Sequence, residues 1–186
     1  MKIKNLFFLM ILILTSCSSK DDFSINNNFG IPQLRYYYEP ILKEAQIWSP
    51  DAYLVDVDIP IGVKRPWLLS AYFFSPTKSK ESLEVLLDSE GKLSERKFSH
   101  VMEILQEDPI LPSQWKIDSQ DALDILVEEN IDSINKITEL CGSLTLSREA
   151  ILENRPLVWG LTYYQCGLPT GNYSFLDPLT EKIITH

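Results

Sequence analysis

Arg65-Pro66-Trp67-Leu68-Leu69-Ser70-Ala71-Tyr72-Phe73 and Arg155-Pro156-Leu157-Val158-Trp159-Gly160-Leu161-Thr162-Tyr163 are the stretches on which the fold turns. Each opens on Arg-Pro and continues with large apolar or aromatic side chains in both phases of a two-residue period. That pattern predicts central β-strands over 66–74 and 156–165. In the first, Trp67, Leu69, Ala71 and Phe73 should share one face, and Leu68, Ser70, Tyr72 and Phe74 the other. Each run leads through a further strand to an acidic turn: Asp88 lies 22 positions after Pro66, and Asp177 lies 21 after Pro156. The near-equal spacing points to a repeated unit.

Working outward, Leu34, Tyr38, Ile41, Ala45 and Trp48 recur at three and four residues, which predicts a helix over 32–48 that either kinks at Pro40 or begins there. The period then becomes two. Tyr53, Val55, Val57, Ile59 and Ile61 alternate with Leu54, Asp56, Asp58 and Pro60, a half-buried strand. A third strand runs over 82–87 and ends at Asp88-Ser89-Glu90-Gly91, where glycine can take a positive φ. Phe98, Val101, Met102 and Leu105 have helical spacing and predict a helix over 94–105, stopped by Asp108-Pro109 and Pro112. Asp118 and Ser119 can cap a helix carrying Ala122, Leu123, Leu126 and Val127, continued from Asp132 through Ile134, Ile137 and Leu140. Strands over 141–147, 156–165 and 173–176 follow. The reading is an α+β fold of two helix-on-antiparallel-sheet units, 32–98 and 99–186.

The chain has 186 residues, with 17 Lys+Arg against 26 Asp+Glu and a formal net charge of -9. Hydrophobic residues at 45% and charged residues at 23% match packed proteins and exclude a wholly disordered, collagen-like or polytopic membrane chain. The acidity leaves no basic surface to neutralise phosphates, so nucleic acid is not an expected partner.

At the start, Lys2 and Lys4 precede nine apolar residues, Leu6 to Leu14, and then Thr15, Ser16 and Cys17. A membrane span needs about 20 apolar residues, so this order reads as a removable leader, 1–16. Leu14-Thr15-Ser16-Cys17 resembles the lipobox of bacterial lipoproteins. The resemblance implies that Cys17 is acylated, with palmitate among its chains, and becomes the first residue after cleavage. Residues 17–31, with Ser18, Ser19, Asp21, Asp22 and Asn26 to Asn28, read as a polar tether. Lys20-Asp21-Asp22 is similar to the lysine-plus-acids signal that exports some lipoproteins to the cell surface. The expected location is the bacterial cell envelope, lipid-anchored at the outer membrane and facing either side of it.

The body resembles the PepSY-like lipoproteins, extracytoplasmic α+β units in which a helix lies on an antiparallel sheet. The residues that carry this are 115–123, 156–163 and 175–183, with Trp67 to Phe74 and Leu86 to Lys92 as looser echoes in the first half. Glu181 stands where that family's closing turn commonly carries glycine. The resemblance implies a binding or inhibitory module and carries no catalytic residue across.

No motif supplies chemistry. His100 and His186 lack the partners that a zinc site or a nucleophile–base arrangement requires. Asp56 and Asp58 lead into Pro60 and Gly62, which breaks the spacing of the twelve-residue calcium loop, and Asp118, Asp121 and Asp124 suit a helix start. There is no glycine-rich phosphate loop. No metal or other cofactor is therefore expected. With Cys17 acylated, Cys141 and Cys166 are left in an oxidising compartment, at the start of one strand and the end of its expected neighbour. They are either bridged or two buried free thiols.

The leading expectation is a non-catalytic envelope lipoprotein that binds a protein or peptide partner, as an inhibitor or assembly factor. A lipid-anchored hydrolase of envelope peptide or glycan and a purely structural component are the alternatives. If the tryptophan-bearing face packs on the helices, the other exposes Tyr72, Phe74, Thr162 and Tyr164 as a candidate partner surface, or is covered by another part of the chain or by a second copy.

Overall fold

In a computed structural model the described residues are 30–62, 67–99, 108–168 and 171–184. Cys17, the leader, most of the tether, His100 and His186 lie outside them. Helix α1 spans Leu34–Trp48 and is followed by four strands: β1 (Tyr53–Ile61), β2 (Trp67–Phe74), β3 (Ser82–Asp88) and β4 (Leu93–Phe98). Then come α2 (Ser119–Glu129), the short α3 (Ile131–Ile134), β5 (Leu140–Arg148), β6 (Leu157–Gln165), β7 (Asn172–Leu176) and β8 (Ile183–Ile184). All eight strands form one antiparallel sheet in the order β4-β3-β2-β1-β5-β6-β7-β8. The helix-then-meander order of the first half recurs in the second, and the leading strands of the two meanders, β1 and β5, pair at the centre, with Val57 opposite Leu146 and Ile61 opposite Gly142.

The helices cover one face. Leu34, Tyr38, Ile41, Ala45 and Trp48 of α1 lie against β1 and β3, while Ala122, Leu123, Leu126 and Val127 of α2 lie against β6 and β7. One continuous core takes in both stripes together with Val57, Ile59, Leu69, Phe73, Leu83, Val85, Leu144, Leu146, Trp159 and Leu161. Burying a side chain of this size stabilises by about 1.5–3 kcal/mol. Helix α1 continues through Pro40 without a break. The amide that proline lacks would have met the carbonyl of Tyr36, which sits on the solvent side of the helix, where water can serve instead.

The N-termini of α1 and α2 share one carboxylate. Asp118 is the N-cap of α2 and accepts from the amide of Ser119 at 2.7 Å. Its two oxygens also accept from the Arg35 amide at 3.3 and 3.2 Å. The Ser119 hydroxyl accepts from the Leu34 amide and donates to the Pro32 carbonyl. Arg35 completes the junction by donating to the Lys116 carbonyl at 2.6 Å and lying over the Trp115 ring. At the other end of α1, Lys78 donates to the Trp48 carbonyl, a cation where the helix dipole is negative. Nearby, Asp51 accepts from Ser75, Thr77 and Ser49, and these hydrogen bonds hold its carboxyl well below the usual range.

The structure corrects the sequence reading in several places; the helix expected to continue from Asp132 through Leu140 ends at Ile134, and Leu140 opens β5. Residues 94–98 are strand β4 rather than the start of a helix over 94–105, whose residues 100–107 lie outside the described set. The turn at Asp88–Lys92, closed by the Asp88 amide on the Lys92 carbonyl and by Gly91 at φ 79°, folds the chain straight back onto β3, and pairing outweighs a weak helical spacing. The alternation of β1 breaks at a bulge between Leu54 and Asp56, so Leu54 enters the core while Tyr53 and Val55 turn to the other face. A second bulge, between Trp67 and Leu69, sets Trp67 opposite Asp88 and off the core face that Leu69, Ala71 and Phe73 occupy. An extra residue in one strand reverses the phase of everything beyond it. Sequence alternation cannot register that.

Candidate functional site

The face of the sheet turned away from α1 and α2 is the candidate site. Cross-strand partners share a face, so the registers define it. One row runs Ser94, Leu86, Ser70, Asp58, Thr145, Gly160, Phe175 and Ile184. Beside it lie Arg96, Glu84, Tyr72 and Asp56.

Of the residues expected to form a partner surface, Tyr72, Thr162 and Tyr164 are half-buried, and Phe74 is buried at 6% exposure. Phe74 is covered because the β1 bulge brings Tyr53 to the same face. Their rings meet edge-on at 5.7 Å, with Val55 and Tyr72 completing a small satellite cluster. Nor are the four contiguous. Tyr72 pairs with Asp56, whose row continues to Val158 on β6, three strand spacings or about 14 Å away, and Tyr164 lies six residues farther along that strand, about 20 Å. The first-half pair Tyr72 and Phe74 and the second-half pair Thr162 and Tyr164 therefore occupy separate regions of the face. The second region is the more open. Tyr173, 61% exposed, pairs with Thr162, and Tyr164 pairs with Cys141.

Cys141 and Cys166 are joined by a disulfide, with their Cα atoms 5.1 Å apart. It ties the ends of β5 and β6 remote from their connecting loop, where the Cys166 amide also donates to the Glu139 carbonyl and the Gln165 side chain accepts from the Thr138 and Glu139 amides.

In the first half, Glu84 is buried at 3% exposure between Arg96, an ion pair at 3.6 Å, and Tyr72. Burial pushes the Tyr72 phenol up to about 12, with the neighbouring Glu84 and Asp58 charges adding to the rise. Arg96 also lies 4.9 Å over the Trp67 ring. Trp67, Leu86, Asp88, Ser94, Glu95 and Arg96 line a half-open cavity of about 290 Å³. No sequence motif pointed to it, because it needs both the bulge that turns Trp67 and the strand identity of 94–98. The pairing of Trp67 with Asp88 at a turn is its only trace in the sequence.

Four of the five acids weighed for calcium, all but Asp121, have structural partners. Asp118 caps two helices, Asp121 lies in the first turn of α2, and Asp124 accepts from Gln120. Asp56 and Asp58 flank Val57 on the outer face, both with interaction partners. Among the described residues no three His, Cys, Asp or Glu side chains gather as a metal ion would require, and no helix is long and apolar enough to cross a membrane. No protein-family model, curated protein or solved structure matches the chain.

Proposed function

We propose that this is a bacterial envelope lipoprotein, anchored through acylated Cys17, whose body is a tandem pair of PepSY-like units that binds a protein or peptide partner without catalysis. The observation that carries the proposal is the division of labour between the two sheet faces: one is sealed by both helices, and the other presents Tyr164, Thr162 and Tyr173 at the second-half corner, beside the disulfide. Tyrosine joins a large apolar ring to a polar tip and is enriched at protein interfaces. The tandem reading is supported by the recurrence of helix and four-strand meander, and by the two acidic turns. The Asp88 carboxylate accepts from the amides of Glu90 and Lys92, and the Asp177 carboxylate from those of Leu179 and Thr180.

The anchor is tested by acyl labelling, which Cys17→Ala should abolish. For the surface, a photo-crosslinking amino acid at Tyr173 should give a discrete adduct in the native envelope. The same group at Tyr36, exposed on α1 on the opposite side of the sheet, should not. Equal adduct patterns at the two positions, or none at Tyr173, would overturn the partner-binding reading.

A further inference from the structure

The strand registers divide the loops between two ends of the sheet. Tyr53 pairs with Phe74, Arg148 with Leu157 and Leu176 with Ile183, so the approach to β1, the β5–β6 loop and the Asp177 turn lie at one end. The disulfide and Leu168 lie at the other. The chain enters the body at the first of these ends. There the Pro32 carbonyl accepts from Ser119, the Arg35 guanidinium donates to the Lys116 carbonyl, and the Lys116 amide donates to the carbonyl of Pro178 in the Asp177 turn.

Beside that entry point stand large apolar side chains that the core does not use. Tyr36 is 76% exposed in the first turn of α1, Leu179 41% in the Asp177 turn and Ile151 66% in the β5–β6 loop. The last two sit on the neighbouring hairpins β5–β6 and β7–β8, two strand spacings or about 10 Å apart. Exposed charges of both signs surround them, Arg35, Lys116 and Lys182 beside Glu39, Glu153 and Glu181. The end shows no basic excess, so its attraction is apolar.

Ile31 lies 14 positions after Cys17. A tether of that length spans at most about 50 Å fully extended and about 20 Å as a coil. The nine-residue strands are about 30 Å long, so the far end of the body comes closer to the bilayer than the entry end only if the tether is stretched back along it. We infer that the entry end rests on the lipid bilayer, with Tyr36, Ile151 and Leu179 set into its interfacial layer. An amphipathic ring and aliphatic side chains suit that layer. The Tyr164 and Tyr173 corner, toward the other end, is then turned away from the lipid and open to a partner. The inference rests on the acylated-Cys17 reading above and adds the orientation of the body.

The test uses the acylated protein in phosphatidylcholine vesicles, with nitroxide labels on Tyr36→Cys, Ile151→Cys or Leu179→Cys at the entry end and on Leu168→Cys or Tyr173→Cys toward the other. Relative to the same labels on the unacylated Cys17→Ala chain in buffer, collisions with lipid-dissolved oxygen should rise and those with an aqueous nickel chelate should fall at positions 36, 151 and 179. Positions 168 and 173 should not change. A label on Thr180→Cys, exposed in the same turn, should behave like its neighbours and return to water when Tyr36→Ser, Ile151→Ser and Leu179→Ser are combined, with acylation and melting temperature kept. Equal nickel access at both ends, immersion of positions 168 or 173 instead, or a Thr180 label that stays immersed in the triple variant would overturn the inference. Entry-end labels that meet nickel freely in these vesicles but are shielded from both reagents in native envelopes would assign the surface to a protein and overturn it likewise. Acyl labelling separates the two readings: an unlabelled Cys17 removes anchor and orientation together, whereas a labelled Cys17 with water-exposed entry-end positions removes the orientation alone.

Discussion

Replacing Asp118 by alanine should damage two helices at once. The carboxylate accepts from the Ser119 amide at the start of α2 and from the Arg35 amide in the first turn of α1, and it is itself buried. Losing an N-cap costs about 1 kcal/mol, and leaving a part-buried amide without an acceptor costs about 1–3 kcal/mol. The two terms concern different amides and add, so the loss expected for Asp118→Ala is about 2–4 kcal/mol. At the usual scaling for a domain of this size that is a fall in melting temperature of roughly 4–16 °C. Asp118→Asn keeps an acceptor oxygen but removes the negative charge facing two positive helix ends, and should lose only about 1 kcal/mol. Asp121→Ala, in the exposed first turn of α2, is the control and should cost no more than about 0.5 kcal/mol. Urea unfolding followed by tryptophan fluorescence measures all three, and amide exchange at Arg35 and Ser119 locates the effect. A loss below about 1 kcal/mol for the alanine variant, or no change in Arg35 exchange, would refute the shared cap.

Glu181 sits at φ 60° in the Asp177 turn, where the first half has Gly91 at φ 79°. Because a left-handed residue with a Cβ is strained, Glu181→Gly should stabilise by about 0.5–1 kcal/mol, read as a raised urea midpoint. The Tyr72 phenol should stay protonated well above the ordinary tyrosine value of 10.0. Its folded pKa is raised, so its contribution to stability is complete below pH 10 and is lost as pH climbs toward about 12. Tyr72→Phe should therefore flatten the alkaline fall in stability, and ultraviolet titration should show one fewer late-ionising tyrosine. Reducing Cys141–Cys166, which spans 25 residues of chain, should cost about 3 kcal/mol. Unfolding with and without reductant, with Cys141→Ser/Cys166→Ser as reference, checks this. Unchanged midpoints would show that the bridge contributes nothing.

Much of the fold was legible because its signals are local. The stripe Leu34, Tyr38, Ile41, Ala45 and Trp48 marked α1, and the alternation from Val57 to Ile61 marked the core side of β1. Asp118 announced a helix start, although nothing local said it would cap a second helix whose first residues lie more than eighty positions earlier. The errors share one cause. Bulges near Val55 and Leu68 are set by neighbouring strands, and β4 exists because a turn delivers it to the β3 edge, so both depend on partners distant in the chain. The expected surface dissolved for the same reason. Tyr72, Phe74, Thr162 and Tyr164 were placed correctly on the outer face, but their spacing across it follows from the β1–β5 junction, which no single segment encodes. The cavity beside Trp67 was out of reach because it arises from a bulge and an unforeseen strand together.

The central seam between β1 and β5 constrains how the molecule can be made. A chain synthesised or exported from its N-terminus can complete the β4-β3-β2-β1 meander long before residues 140–148 are available, since Val57 waits for Leu146. During that interval one side of β1 presents an unpaired backbone edge beside Val57, Ile59 and Ile61, the kind of surface that templates association between chains. A chain truncated after β4 would keep that edge permanently, and the readiest substitute for β5 is the β1 of another truncated chain, lying antiparallel across it. Premature termination would thus yield crosswise pairs of half-molecules built on the seam that the intact protein closes within itself.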